Sequence, residues 1–135
     1  MKTLLFLLLI ALSLVLDSFM CNKEIVNCTE EFRMIIVNVN KVDNSPAEID
    51  DYYMVRTSDK DTILSKNNNP YEDDFFEGIT IFTDSQMNKT TEKGTDFIFT
   101  CYWKEKLVVS EYYKISNNEC HIQLESGKTN IRIVQ

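Results

Sequence analysis

The sequence feature that most constrains the fold is the stretch DFIFTCYWKEKLVVSEYYKI (residues 96–115), which has the pattern of a β-hairpin. Side chains alternate between the two faces of a strand, so one face of the first arm carries Phe97, Phe99, Cys101 and Trp103. This more apolar face should pack on a core. The turn is expected around residues 104–106.

Short strands are predicted along most of the remaining chain. Alternation or a run of β-branched and aromatic residues marks 32–40, 51–57, 62–64, 75–83, 120–124 and 130–134. Polar turns such as VDNSP (42–46) separate them, and the last two segments are expected to pair around ESGK (125–128). Without amphipathic helices between the strands, the pattern predicts an all-β protein: an Ig-like antiparallel β-sandwich of about seven strands.

The N-terminus has the pattern of an export signal. TLLFLLLIALSLVL (3–16) follows a positive charge and is too short to span a bilayer comfortably. The next cysteine, Cys21, is a candidate for lipidation, although Met20 stands where a lipobox usually has Gly, Ala or Ser. We therefore expect a signal peptide over 1–20, a tether over 21–28 and one domain over 29–135. Simple secretion is the alternative to a lipid anchor.

The charge of the chain argues against nucleic acid as a partner. The formal net charge is -7, and removing residues 1–20 deletes one Lys and one Asp, which leaves it unchanged. Binding to phosphates requires a positive surface. We expect localisation at the cell envelope, in the outer membrane or at the cell surface.

The cysteines should follow the chemistry of an oxidising compartment, where the usual fate is a disulfide. Four cysteines allow three pairings, but lipid on Cys21 would leave three and make one of them free. Cys101 lies mid-strand among aromatic residues and is the candidate free thiol. We predict a bridge between Cys28 and Cys120, which would stabilise the fold by about 4 kcal/mol.

The chain's single histidine, His121, directly follows Cys120. Strand alternation points the two side chains apart, and a zinc site needs three or four suitably spaced ligands. We therefore predict a structural role for His121, with metal binding and general acid or base chemistry as the alternatives. No metal or cofactor is expected.

Acidic residues cluster at 48–51 and 72–74. They lack EF-hand spacing, so a solvated surface is the simplest interpretation. The G-x-S-x-G and H-E-x-x-H motifs are also missing from the sequence, so we do not expect an enzyme. The alternative is a small secreted hydrolase or hydrolase inhibitor that uses the acidic loop residues, with Asp73 and Asp74 as the pair to substitute in a test.

The second face of the hairpin is the candidate binding surface. If the turn has two residues, Tyr102 and Tyr113 share an exposed strip that could bind a protein or a glycan. The alternative is that the two tyrosines make ordinary cross-strand pairs.

Four segments carry a resemblance to a known group: CNKE, CTEEFRMIIVNV followed by VDNSP, KGTDFIF, and YYKISNNECHIQLESGKTNIRI. The sequence resembles small envelope lipoproteins of Bacteroidota-type bacteria with a prealbumin-like sandwich, similar to carboxypeptidase regulatory-like domains. The resemblance implies a non-catalytic envelope module anchored through its lipid. It implies no catalytic residues.

Overall fold

A computed structural model describes residues 26–71 and 77–135 of the chain. Within these ranges the elements are β1 (Met34–Lys41), β2 (Asp51–Arg56), β3 (Thr62–Ser65), β4 (Ile79–Thr83), β5 (Thr95–Trp103), β6 (Lys106–Asn117), β7 (Ile122–Ser126) and β8 (Asn130–Ile133). Short 3₁₀ helices follow β3 (Lys66–Asn68) and β4 (Asp84–Lys89). In the described part of the chain, no helix is long and apolar enough to cross a membrane.

The strands form two sheets, which confirms the predicted all-β sandwich. One sheet has the order β4-β1-β8 and the other the order β3-β2-β5-β6-β7. The core between them includes Val37 from β1 together with Phe97, Phe99 and Cys101 from β5, all with no exposed surface. The rings of Phe82 and Phe97 meet across it with their centroids 5.1 Å apart. The apolar face predicted for the first arm of the hairpin is therefore the core face at Phe97, Phe99 and Cys101, whereas Trp103, at the end of the strand, is only half-buried.

The described residues form eight strands, in line with the expected number of about seven, and one strand pair, β8 with β1, is parallel. One detail of the predicted topology was wrong: the segments 120–124 and 130–134 do not pair with each other. Instead, β7 pairs with β6, and the chain then crosses to the other sheet at Gly127 before β8 begins.

Gly127 shows why the crossing needs glycine. Its φ is +135°, and a Cβ there would lie 2.3 Å from Cδ1 of Tyr113. Any other residue would combine backbone strain with a clash against a fully buried ring. The sharp change of sheet and the packing of Tyr113 therefore depend on the same position.

Candidate binding face

The predicted disulfide is present: Cys28 and Cys120 are joined, at a sequence separation of 92. The bridge connects the segment before β1 to the turn before β7. Beside it, Asp84 at the end of β4 contacts His121 and two backbone amides. We call this group the clasp: Cys28, Cys120, Thr29, Asp84 and His121.

His121 is buried within the clasp and hydrogen-bonded at both ring nitrogens. Nδ1 lies 2.8 Å from Oδ2 of Asp84, and Nε2 lies 2.9 Å from Oγ1 of Thr29. A carboxylate only accepts, so Nδ1 carries the proton. β7 begins at Ile122, so strand alternation does not govern the direction of this ring.

Asp84 joins three segments of the chain. Its oxygens accept hydrogen bonds from the backbone N–H of Arg33 and of Ile122, each at 2.8 Å, as well as from the imidazole. Burial alone would raise the pKa of this carboxyl, but the bonds from Arg33, His121 and Ile122 outweigh burial and hold its pKa below the ordinary value. Asp84 is therefore ionised at neutral pH.

The clasp has the order hydroxyl, imidazole, carboxylate that hydrolase triads use. In this protein, however, the carboxylate fixes the start of β1 and the start of β7, and the hydroxyl belongs to the residue next to a bridged cysteine. We interpret the arrangement as a structural tie. In the described residues no group of three or more His, Cys, Asp or Glu side chains could hold a metal.

Cys101 is the free cysteine of the described residues, and it is buried, as predicted. Burial raises the pKa of its thiol to about 12. At neutral pH it is a protonated, inaccessible group with little reactivity. It therefore contributes packing to the core.

The prediction that Tyr102 and Tyr113 share an exposed strip was wrong for Tyr113. The turn has two residues, as assumed, but Cys101 pairs with Val109 while Tyr102 pairs with Leu107, so Val108 is an extra residue in β6. Such a bulge moves every later side chain of the strand to the opposite face. Tyr113 is therefore 1% exposed in the core, with its hydroxyl bonded to the carbonyl of Lys128 at 2.5 Å.

The same bulge turns Tyr112 outward, where it is 68% exposed. Val55, Ile98 and Tyr112 lie side by side on three neighbouring strands, on the face directed away from the other sheet. Tyr53 and Tyr102 continue this face, with ring centroids 6.1 Å apart and planes at 78°. We call the five residues Tyr53, Val55, Ile98, Tyr102 and Tyr112 the tyrosine face.

An open hollow of about 480 Å³ lies at one end of the tyrosine face, beside the turn between β5 and β6. Its lining is Asp50, Asp51, Tyr53, Tyr102, Lys104 and Glu105, and we call it the tip hollow. The acidic cluster at 48–51 thus supplies two of its carboxylates. The second cluster, with Asp73 and Asp74, lies outside the described residues, as does Cys21.

The turn at the tip has an unusual sequence. Lys104 and Glu105 both have positive φ, at 48° and 61°, where two-residue hairpin turns usually carry Asn-Gly. Oδ2 of Asp50 accepts a hydrogen bond from the backbone N–H of Lys104 at 2.5 Å, which supports this conformation. The chain thus keeps two charged side chains at a position where they strain the backbone.

Comparison with known proteins adds no relative. No family model, curated protein or solved structure matches the chain.

Sequence reasoning missed Tyr112, Tyr53 and Asp84 as members of these sites. The outward position of Tyr112 could have been inferred from strand alternation only with knowledge of the bulge at Val108. Tyr53 alternates correctly with buried Tyr52 and Met54, so its outward position could have been inferred from β2 alone. Asp84 lies 37 residues from His121, and nothing local to either residue indicates their contact.

Proposed function

We propose that this chain is an exported, lipid-anchored envelope protein that acts as a non-catalytic binding module. The observation that carries the binding role is the tyrosine face. Tyr112 is exposed, and the other four side chains beside it are half-buried. Large contiguous apolar patches are uncommon on monomeric proteins, and Tyr residues are enriched at recognition surfaces. The partner is a protein or glycan that covers this face.

The opposite sheet provides an internal reference for this argument. Where β1 pairs with β8, its outward side is polar and carries Asn38, Asn40, Asn130 and Arg132, while Met34 and Ile36 lie on the same side at the other end of β1. The two outer faces belong to the same small sandwich. The polar area beside β8 contrasts with the tyrosine face, and this contrast supports a role for the tyrosine face in recognition.

Two features support export and anchoring. A structural disulfide is expected in an oxidising compartment, as the apolar N-terminal segment predicts. Residues 21–28 span at most about 25 Å when fully extended. A lipid on Cys21 would therefore hold the clasp near the membrane, and the tip hollow, at the other end of β6, would face away from it.

Mass spectrometry of the native protein tests the anchor. We expect an intact mass that corresponds to cleavage before Cys21 plus the mass of the acyl groups, and a Cys21→Ser variant should lose both. A native mass without acyl groups would contradict the anchoring part of the proposal and leave simple secretion.

Site-specific photocrosslinking in the native envelope tests the binding role. A photoreactive residue at position 112 should give a discrete crosslinked product, and the same residue at position 132, on the polar outer face, should not. The product should disappear when Ile98→Thr is added beside it. Equal crosslinking from both positions, or none from position 112, would contradict recognition through the tyrosine face.

A further inference from the structure

The tip hollow combines aromatic walls with an excess of negative charge. Tyr53 and Tyr102 form two walls that meet at 78°. The hydroxyl of Tyr53 donates a hydrogen bond to Asp51, which fixes the orientation of that ring and raises the pKa of the phenol. The faces of such rings carry negative potential and attract cations.

Carboxylates surround these walls. Asp50, Asp51 and Glu105 line the hollow, and within residues 26–71 and 77–135 no ion pair involves any of the three. The single basic lining residue, Lys104, has its Nζ over the ring of Trp103, 4.2 Å from the centroid. The hollow thus holds three negative charges against one positive charge that is already engaged.

We propose that the tip hollow binds a basic side chain, lysine or arginine, presented by a partner protein. This inference rests on the proposed binding role and names the chemistry of the partner at one end of the tyrosine face. An ammonium or guanidinium group fits because the ring faces attract it and the carboxylates neutralise it. A neutral or acidic segment would leave these carboxylates without a compensating charge.

The full-length protein can be tested with short peptides by following backbone amide shifts in NMR titrations at low salt. The probes are acetyl-Gly-Lys-Gly-amide and acetyl-Gly-Arg-Gly-amide, with acetyl-Gly-norleucine-Gly-amide as the matched control that lacks the charge. We expect affinity on the order of a millimolar for the basic peptides. The shifts should concentrate in residues 50–53 and 102–105, and at least one basic peptide should bind about tenfold more tightly than the norleucine peptide.

Charge variants sharpen the test because they should act in opposite directions. Glu105→Gln should weaken binding about threefold to tenfold, whereas Lys104→Gln should strengthen it by a similar or smaller factor. Tyr102→Leu should weaken binding strongly and Tyr102→Phe should not, since phenylalanine retains the ring. Arg132→Gln, at an exposed position on the outer face of the other sheet, should leave peptide binding unchanged, and the thermal midpoint of each variant checks its folding.

Equal binding of the norleucine peptide, or no effect of Glu105→Gln and Tyr102→Leu in folded protein, would overturn the inference. These outcomes are distinct from failure of the proposed function, which is measured by crosslinking from position 112. Retained crosslinking without peptide binding would contradict a basic ligand at the tip hollow but would still support recognition through the tyrosine face. Peptide binding without crosslinking would leave a cation site but remove the wider role on which the inference rests, and would overturn it as stated.

Discussion

The two ends of β6 handle polar and charged groups in opposite ways. At the clasp, each polar group we describe has a partner, and the single charge of Asp84 accepts three hydrogen bonds. At the tip hollow, three carboxylates lack ion pairs within the described residues, and two charged residues occupy a strained turn. One end ties segments of the chain together, and the other end is where we propose that a ligand binds.

This difference indicates where stability and recognition are located. Fully satisfied buried polar groups stabilise a fold, and removing one partner is costly. Strained backbone and uncompensated charge lower stability and are retained where function needs them. Substitutions at the clasp should therefore destabilise the protein, while substitutions at the tip should be neutral or stabilising.

The largest expected effect is loss of the bridge. Replacing Cys28 and Cys120 together by serine should lower the free energy of unfolding by about 4 kcal/mol, since the bridge closes a loop of 92 residues in the unfolded chain. Urea denaturation measures this loss. Reductant should destabilise the wild type but not the double variant. An unchanged urea midpoint would contradict the view that the clasp stabilises the fold while the tip does not.

Asp84→Asn tests the polar half of the clasp. We expect a loss of about 2 to 3 kcal/mol, because the charged acceptor for His121 and Arg33 is removed while the amide oxygen still accepts one hydrogen bond. Urea denaturation at neutral pH provides the measurement. Ser85→Ala, at the adjacent exposed position, is the matched control and should change stability by less than about 0.5 kcal/mol.

Acid should act through the same carboxylate. The pKa of Asp84 is lower in the folded protein, so its ionised form stabilises the fold above the ordinary Asp pKa of about 3.9. That contribution is lost as the pH falls through the lower, folded value. Unfolding free energies measured from pH 6 to pH 2 should therefore decline less steeply for Asp84→Asn than for the wild type. Parallel declines would show that Asp84 is not a source of acid sensitivity.

At the tip, a better turn sequence should stabilise the protein. Lys104→Asn combined with Glu105→Gly supplies residues that tolerate positive φ, and we expect a gain of about 1 to 2 kcal/mol. The control, Glu105→Ala, removes the same charge but retains a Cβ and should give little of this gain. If the double variant is no more stable than wild type, the turn is not strained and the contrast weakens.

The smallest effect is expected at the tyrosine face. Tyr112→Ser should change the free energy of unfolding by less than about 0.5 kcal/mol, because the side chain is mostly exposed. The neighbouring Tyr113→Ser should cost about 3 kcal/mol or more, since it empties a core position. Thermal or urea unfolding of the pair tests the bulge directly. A larger loss of stability for Tyr112→Ser than for Tyr113→Ser would indicate that Tyr113, and not Tyr112, lies on the surface.

Much of the fold could be predicted from the sequence because alternation is a local signal. The first arm of the hairpin identified Phe97, Phe99 and Cys101 as core residues, and the expected oxidising compartment led to the bridge between Cys28 and Cys120. These inferences depend on neighbouring residues or on the pairing of few cysteines, and the structure confirmed them.

The tyrosine face could not be predicted fully because it depends on the register between β5 and β6. One extra residue, Val108, exchanges the inward and outward side chains over the rest of β6. The sequence KLVVSEYY around it contains no glycine or other mark of a bulge. Pairing of β8 with β1 and contact of Asp84 with His121 likewise join segments distant in sequence. Strand register, strand pairing and contacts between distant segments are decided by packing between the sheets. The local sequence pattern is compatible with more than one such arrangement.

The position of the bridge also determines how a mechanical load would pass through the domain. A pull on the chain before Cys28 would reach Cys120 through the sulfur atoms and enter the turn between β6 and β7, and so would bypass residues 29–33 inside the covalent loop. The first strand, β1, is therefore shielded from being peeled away from its neighbours. With the proposed anchor at Cys21, tension at the attachment point would therefore be carried by the covalent bridge and not by the hydrogen bonds of β1.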